Sequence, residues 1–354
     1  MNPSFWKGKR VFVTGHTGFK GGWLCLWLKS LGADVTGFAL AAATSPNLFD
    51  AAHVGDGMTS VIGDVRDRER LARAMIEAQP EIVIHLAAQA LVRYSYREPV
   101  ETYATNVMGT VHLLEAVRGC DSVNSVLVVT SDKCYENQER DEGYSEDEAM
   151  GGFDPYSNSK GCAELVVSAY RRSFFDGGKK VAISTARAGN VIGGGDWSED
   201  RLIPDMVRAF SAAERVTIRN PGAVRPWQHV FDALHGYLLL LERMVENPES
   251  FSQAWNFGSE DTDAYDVAWI VEHFVQIWGE AGWSIEKNAA NPHEAGLLRL
   301  DCSKARDRLN WQPVLELEQA MDWIAAWYRC YYDHGDVAAM SAEHLDAFLR
   351  IAAE

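Results

Sequence analysis

Arg10-Val11-Phe12-Val13-Thr14-Gly15-His16-Thr17-Gly18-Phe19-Lys20-Gly21-Gly22-Trp23-Leu24-Cys25-Leu26-Trp27-Leu28-Lys29 is the stretch that decides the architecture. Arg10–Thr14 is a short apolar run that reads as a strand. Glycines then fall at a GxxGxxG spacing, Gly15, Gly18 and Gly21. Trp23/Trp27 and Leu24/Leu28 recur at i, i+4, the pattern of a packed helix. Strand, glycine turn and helix together form a phosphate cradle: the glycines admit a pyrophosphate to the backbone, and the helix N-terminus receives its charge.

Working outward, the same alternation repeats. Ala33–Leu40 is a second strand, Ser60–Val65 a third with Asp64 at its end, and Glu81–Ala88 a fourth. Arg66–Gln79 between them has a helical stripe of Leu71, Ala74, Met75 and Ala78, stopped by Pro80. Val100, Ala104, Val107, Val111 and Leu114 mark another helix, with Asn106 off its apolar face. Val126–Lys133 is strand five and Val181–Arg187 strand six. Strands alternating with helices give a Rossmann-type, doubly wound parallel sheet. A smaller C-terminal α/β substrate domain follows. The expected division is 1–188, with a returning segment at about 226–257, as the dinucleotide-binding domain, and 189–225 with 258–354 as the substrate domain. In such sheets the ligand binds at the carboxyl ends of the strands, where the glycine loop, Asp64, Ala87-Ala88 and Ser131-Asp132-Lys133 all fall.

Strand five ends abruptly in Thr130, Ser131, Asp132 and Lys133, which place a hydroxyl, a carboxylate and an amine where a buried strand surfaces. Tyr156 and Lys160 follow at i, i+4, so one helix face carries both. An ammonium beside a phenol is expected to stabilise the phenolate and lower its pKa. Beside these groups, His85 reads as a satisfied interior histidine. Arg219–His229, with Arg225, Trp227 and His229, is basic and aromatic, suited to a diphosphate and a flat base. The end of the second strand is unusual. Ala39-Leu40-Ala41 offers neither the acidic residue that grips a ribose hydroxyl nor an Arg for a 2′-phosphate before Arg66.

The chain has 354 residues, 47% hydrophobic, with 12 Trp and a formal net charge of −17. That charge argues against nucleic acid as a partner. No apolar run is long enough to span a membrane, and the first ten residues lack the apolar region of a signal peptide. Cys25, Cys120, Cys134, Cys162, Cys302 and Cys330 form no metal or CxxC spacing. They read as reduced cysteines of a cytoplasmic protein that binds no metal.

These motifs, with Gly63-Asp64, His85-Leu86-Ala87-Ala88-Gln89, Arg187-Ala188-Gly189-Asn190-Val191 and Leu300-Asp301-Cys302-Ser303-Lys304-Ala305, resemble the extended short-chain dehydrogenase/reductase family over essentially the whole chain. Within it the chain is similar to nucleotide-sugar 4,6-dehydratases, and to their CDP-hexose branch. The dTDP-sugar branch carries Asp-Glu where this chain has Asp132-Lys133. The resemblance implies a lyase that recycles a tightly held nicotinamide, and the lack of an Arg for a 2′-phosphate near Ala39-Leu40-Ala41 makes the expected cofactor NAD rather than NADP. Its implied substrate is CDP-D-glucose, and its product the 4-dehydro-6-deoxy sugar, for deoxysugar biosynthesis. It implies catalytic roles for Ser131, Asp132, Lys133, Tyr156 and Lys160. Cofactor contacts would come from Gly15, His16, Thr17, Gly18, Phe19, Lys20, Gly21, Asp64, Val65, Leu86, Ala87, Ala88, Gln89, Asn106 and Thr130, together with Tyr156 and Lys160. Substrate contacts would come from Ser95, Asn190, Arg201, Leu202, Arg225, His229 and Arg299. A homodimer through the helices around Asn106 and Tyr156, or a tetramer, is also implied. A nucleotide-sugar 4-epimerase, a dehydratase for dTDP- or GDP-sugars and a non-catalytic dinucleotide sensor are the rival readings. The Asp132-Lys133 pair argues against the epimerase, and the intact Ser131, Tyr156 and Lys160 set against the sensor.

Overall fold

Seven short segments pair side by side in parallel, buried through the middle of the sheet and exposed at one edge. In the computed structural model, which describes residues 1–175, 181–259, 264–279, 282–286 and 297–353, they are β1 Arg10–Thr14, β2 Asp34–Ala39, β3 Thr59–Ile62, β4 Ile82–His85, β5 Ser125–Val129, β6 Ala182–Arg187 and β7 Ala254–Asn256. The expected substrate stretch 258–354 therefore lies partly outside the described residues. β4, β5 and β6 are buried along their whole length, as strands covered on both faces must be. The spatial order is β7-β6-β5-β4-β1-β2-β3. The chain starts in the middle, runs outward through β2 and β3, then returns to β4 on the other side of β1. The carboxyl ends of β1 and β4 thus form the switch point where a crevice opens.

Helices cover both faces. On one lie α1 Phe19–Ser30, α6 Val230–Glu246 and the C-terminal α7 Leu317–Tyr332 and α8 Val337–Ile351. There Trp23, Trp27, Phe231, Trp327 and Phe348 interlock in one core, with Trp23 edge-on to Phe231 at 5.0 Å between ring centres. On the other face α2 Arg68–Ala78, α3 Gly109–Arg118 and α4 Pro155–Tyr170 bury Leu71, Leu113, Val117 and Val167 against Phe12 and Val126. Beyond the sheet, α5 Leu202–Ser211 and three small strand pairs, Val191–Ile192 with Gln228–His229, Val224–Pro226 with Ala264–Asp266, and Arg215–Ile218 with Gly282–Ile285, build the cap over the crevice.

Two sequence expectations need correction. Strand five was expected to reach Lys133, but β5 ends at Val129, and Asp132–Cys134 is a single 3-10 turn capped by the Ser131 hydroxyl. The helix expected from Val100 to Leu114 is not continuous. Pro99–Tyr103 gives way to a π-helical turn, Ala104–Met108, before α3 resumes. The wider turn shifts the phase of the apolar stripe. Val100 is consequently 81% exposed, while Asn106 is 2% exposed.

Among the described residues no helix is long and apolar enough to cross a membrane, and no cluster of His, Cys, Asp and Glu could hold a metal ion.

Candidate active site

Helix α4 starts where chemistry dictates. Asp154 caps it by accepting from the Ser157 N–H at 3.0 Å, and Pro155 occupies the first turn. That register turns Tyr156 and Lys160 inward together; their residue exposures are 9% and 7%. Lys160 Nζ donates to the Val129 carbonyl at 3.2 Å, which ties the helix to the end of β5.

Opposite stands the turn that follows β5. Ser131 Oγ donates to Asp132 Oδ1 at 2.8 Å, and the Lys133 N–H donates to the same oxygen at 2.9 Å. The Asp132 carboxylate, 2% exposed, packs on the bare backbone of Gly189. A Cβ at Gly189 would sit 1.9 Å from Asp132 Oδ2, so no other residue leaves that carboxylate in place. Spacing gave no hint of this glycine's role, because the partner lies far away in sequence. Lys133 Nζ reaches to 4.0 Å from Asp132 Oδ1, with its side chain 32% exposed.

The sequence expects Lys160 to pull the Tyr156 pKa down. In the structure burial wins, and Tyr156 is pushed up to about 12 against a hydrogen bond with Ser131 and the positive charge of Arg201. Burial lowers Lys160 to about 8, opposed by Glu164 and Cys134. The amine most affected is Lys20. Burial first, then Arg201 and Lys160, push it down to about 7, while Asp132 pulls the other way.

Lys20, Ser131, Asp132, Lys133 and Tyr156 open into one cavity of about 650 Å³, within the range of small-molecule sites, whose lining does not include Lys160. Its walls include Lys20, Ser131, Asp132, Lys133, Tyr156, Asn190, Arg201, Leu202, Arg225 and Trp227. Arg201 donates to the buried Asp196 carboxylate at 2.8 Å, which fixes the guanidinium in the wall. The role of Asp196 was not legible in the sequence, where it is one residue of a glycine-rich loop.

Three expected substrate contacts stand outside that lining. Ser95 is fully buried and donates to the Val92 carbonyl at 2.7 Å. His229 is buried and caps α6, its Nδ1 accepting from the Phe231 N–H at 3.2 Å, and burial lowers it to about 3. Arg299 adjoins the lining residue Leu298 without being part of it. As the sequence suggests, His85 is an interior histidine, its Nδ1 2.7 Å from Thr14 Oγ1.

The glycine loop fits a dinucleotide. Gly21 faces Gly15 so closely that a Cβ there would lie 2.0 Å from the Gly15 carbonyl, which leaves a backbone cradle before the N-terminus of α1. The His16 ring points away from this cradle, with Nε2 2.7 Å from Ser60 Oγ. Only its backbone is therefore available to a phosphate. Asp64 lies two residues beyond β3, which ends at Ile62 rather than at the expected Val65, and is engaged by Arg66 at 2.6 Å. The Asn106 side chain is occupied by Gln89 and Ser159, so it orders the loop after β4. Thr130 turns to Glu164 at 2.5 Å rather than into the crevice.

Comparison with known proteins agrees with this layout. Residues 12–323 match a family model described as GDP-mannose 4,6 dehydratase. The chain is 50% identical over 354 residues to CDP-glucose 4,6-dehydratase of Salmonella typhimurium strain LT2, covering 99% of this chain and 98% of that protein. Among solved structures it is similar to UDP-glucose 4-epimerase of Thermotoga maritima with UDP-glucose, at a TM-score of 0.77, 22% identity and 91% and 99% coverage. It is also similar to dTDP-glucose 4,6-dehydratase of Bacillus anthracis in complex with NAD, at a TM-score of 0.76, 21% identity and 93% and 99% coverage. At those identities the solved structures establish the fold alone.

Proposed function

Because the chain belongs to the GDP-mannose 4,6-dehydratase family, within the extended short-chain dehydrogenases/reductases, we propose that it is a hydro-lyase converting CDP-glucose to CDP-4-dehydro-6-deoxyglucose. The observation that carries this reading is the meeting of Ser131, Asp132, Lys133 and Tyr156 in one cavity walled by Arg201 and Arg225. Hydride transfer alone needs a proton acceptor at O4. Loss of water across C5 and C6 needs an acid and a base besides, and an epimerase has no use for them.

A bound nicotinamide would supply temporary storage of the hydride between C4 and C6, and would not be consumed. Gly15–Gly21 and the N-terminus of α1 would hold its pyrophosphate, and Lys160 would stand beside its ribose. Tyr156 takes the proton of O4, with Ser131 hydrogen-bonded alongside. The C4 ketone acidifies C5–H. Lys133 removes that proton, Asp132 protonates the departing C6 hydroxyl, water leaves, and Lys133, after exchange with solvent, returns a proton to C5 as C6 regains hydride. Asn190, Arg201 and Arg225 hold the diphosphate and nucleotide, which orients the hexose over Tyr156.

Supplying CDP-, dTDP-, GDP- and UDP-glucose in turn and reading products by NMR tests the substrate. CDP-glucose should give the 4-keto-6-deoxy sugar at the highest kcat/KM. A galacto-configured product, or preference for another nucleotide, would contradict the reading.

The preferred cofactor is NAD, held loosely. Leu40, 55% exposed, and its alanine neighbours Ala39 and Ala41 give the adenosine ribose no carboxylate. Arg66, the nearest guanidinium in sequence, already pairs with Asp64 at 2.6 Å and Glu101 at 3.5 Å. A missing hydrogen bond to a charged group, about 1.5–3 kcal/mol, costs one to two decades of affinity. Calorimetric titration of cofactor-stripped protein should therefore give weak binding that favours NAD. Tighter binding of NADP would reverse the assignment.

The active form in this reading is a cytoplasmic homodimer, with pairing into a tetramer as a further step. Val100 and Met108, 81% and 46% exposed, and Leu165, 59% exposed, leave apolar surface on helices around Asn106 and Tyr156. The six cysteines are all free, in keeping with a reducing compartment. The substrate domain in this reading comprises 189–225 and 258–354.

A further inference from the structure

One turn beyond Lys160 stands a buried acid that the dehydration scheme does not use. Glu164 is 5% exposed and accepts three hydrogen bonds: from Thr130 Oγ1 at 2.5 Å, Thr185 Oγ1 at 2.7 Å and Arg187 Nη2 at 2.9 Å. Arg187 is equally buried, at 3%, and its other terminal nitrogen donates to the Tyr135 hydroxyl at 2.6 Å. A buried carboxylate–guanidinium pair contributes little net stability, because desolvating two charges offsets their attraction. Its place in the fold suggests a different use. Tyr156, Lys160 and Glu164 recur at i, i+4 and share one face of α4.

The Lys160 amine is enclosed by groups of both signs. Glu164 faces it from its own helix, Cys134 from the turn after β5, Lys20 from α1 and His85 from β4. Glu164 is the largest influence favouring the charged form against burial. Glu164 itself is kept ionised by Arg187 and the two threonine hydroxyls, with its carboxyl below the usual carboxylate range although burial works the other way. Arg187 and the two threonines thus hold the Glu164 carboxylate one helical turn from Lys160, whose amine itself donates to the Val129 carbonyl.

We infer that Glu164 is a positioning residue that keeps Lys160 an ammonium during proton transfer, while Arg187 keeps Glu164 charged. This rests on the reading of Tyr156 and Lys160 as the proton-transfer pair. Without the Glu164 charge, Lys160 loses its proton at lower pH and no longer supports the Tyr156 phenolate. The alkaline limb of the pH–rate profile should follow that loss.

The test compares the full-length parent with Glu164→Gln, with the double variant Glu164→Gln/Arg187→Met, which leaves no buried charge unpaired, and with Glu164→Asp, which keeps the charge. Two quantities are read: the pH profile of C4 oxidation of CDP-glucose, and the titration of the Lys160 ammonium by NMR of lysine labelled at Nζ. In the Gln variant the Lys160 midpoint and the alkaline limb should both move down by about one unit or more, each unit a factor of about ten, and in the double variant they should move the same way by less, because the opposing Arg187 charge is removed as well. KM should stay within about twofold, and Glu164→Asp should restore the limb. Folded, active variants with the midpoint and limb unmoved would overturn the inference and leave Glu164 a structural acid. A parent that fails to oxidise C4 would overturn the underlying reading, and this inference with it.

Discussion

Replacing Tyr156 by Phe should remove C4 oxidation while leaving the protein folded. The ring fills a site only 9% exposed and would pack unchanged. The substitution deletes the hydroxyl that hydrogen-bonds Ser131 and would accept the O4 proton. Loss of a general base costs about 10²–10⁴-fold in rate. Rapid mixing with CDP-glucose, following the absorbance of reduced cofactor, gives the rate of the first half-reaction directly. Thermal denaturation checks the fold, and should show a change of less than about 1.5 kcal/mol for loss of a single net hydrogen bond. A Phe variant within a few-fold of the parent would make Tyr156 a packing residue, and the proton acceptor would lie elsewhere.

Lys133→Met and Asp132→Asn should each separate the two halves of the reaction. Both variants keep Tyr156, Ser131 and Lys160, so C4 oxidation proceeds and reduced cofactor accumulates with the 4-keto sugar. Turnover to the deoxy product should fall by about 10²-fold or more. Exchange of solvent deuterium into C5 then distinguishes the roles. Asp132→Asn should still exchange, because it lacks only the acid at C6, whereas Lys133→Met should not. The structure sharpens this test. The Lys133 side chain keeps 32% exposure and lies 4.0 Å from Asp132 Oδ1. Closure of substrate over the pair must supply the remaining desolvation, since an amine accepts a proton only when neutral. If Lys133→Met exchanges C5–H at the parent rate, Lys133 only balances the charge of Asp132. The next amine in the cavity wall is Lys20, which is lowered to about 7.

The sequence shows the parts of this site that depend on local spacing. A strand, three glycines at fixed spacing and an i, i+4 helix are short-range patterns, and β1, the cradle and α1 follow from them. Tyr156 and Lys160 were legible for the same reason, and Ser131–Lys133 because polar groups stood where an apolar run broke off. Long-range partners were not legible. Gly189 matters only because Asp132 lies against it, and Asp196 because Arg201 reaches back to it. Glu164 looks like any helical acid until Thr185 and Arg187, on a distant strand, are seen to donate to it. His229 misled for a related reason. A basic and aromatic stretch has the same composition whether its rings face a cavity or, as here, cap a helix within the core. The π-helical turn at Ala104–Met108 leaves no mark in an i, i+4 pattern until Asn106 is found buried and Val100 exposed.

The account stands on an intramolecular hydride transfer coupled to water loss, and CDP-glucose carrying deuterium at C4 examines both at once. After turnover with unlabelled cofactor, NMR and mass spectrometry of the product should place the deuterium at C6 of a 4-keto-6-deoxy sugar, with a proton or deuteron from solvent at C5. Deuterium still at C4 of an epimerised hexose, or washed out to solvent, would contradict it.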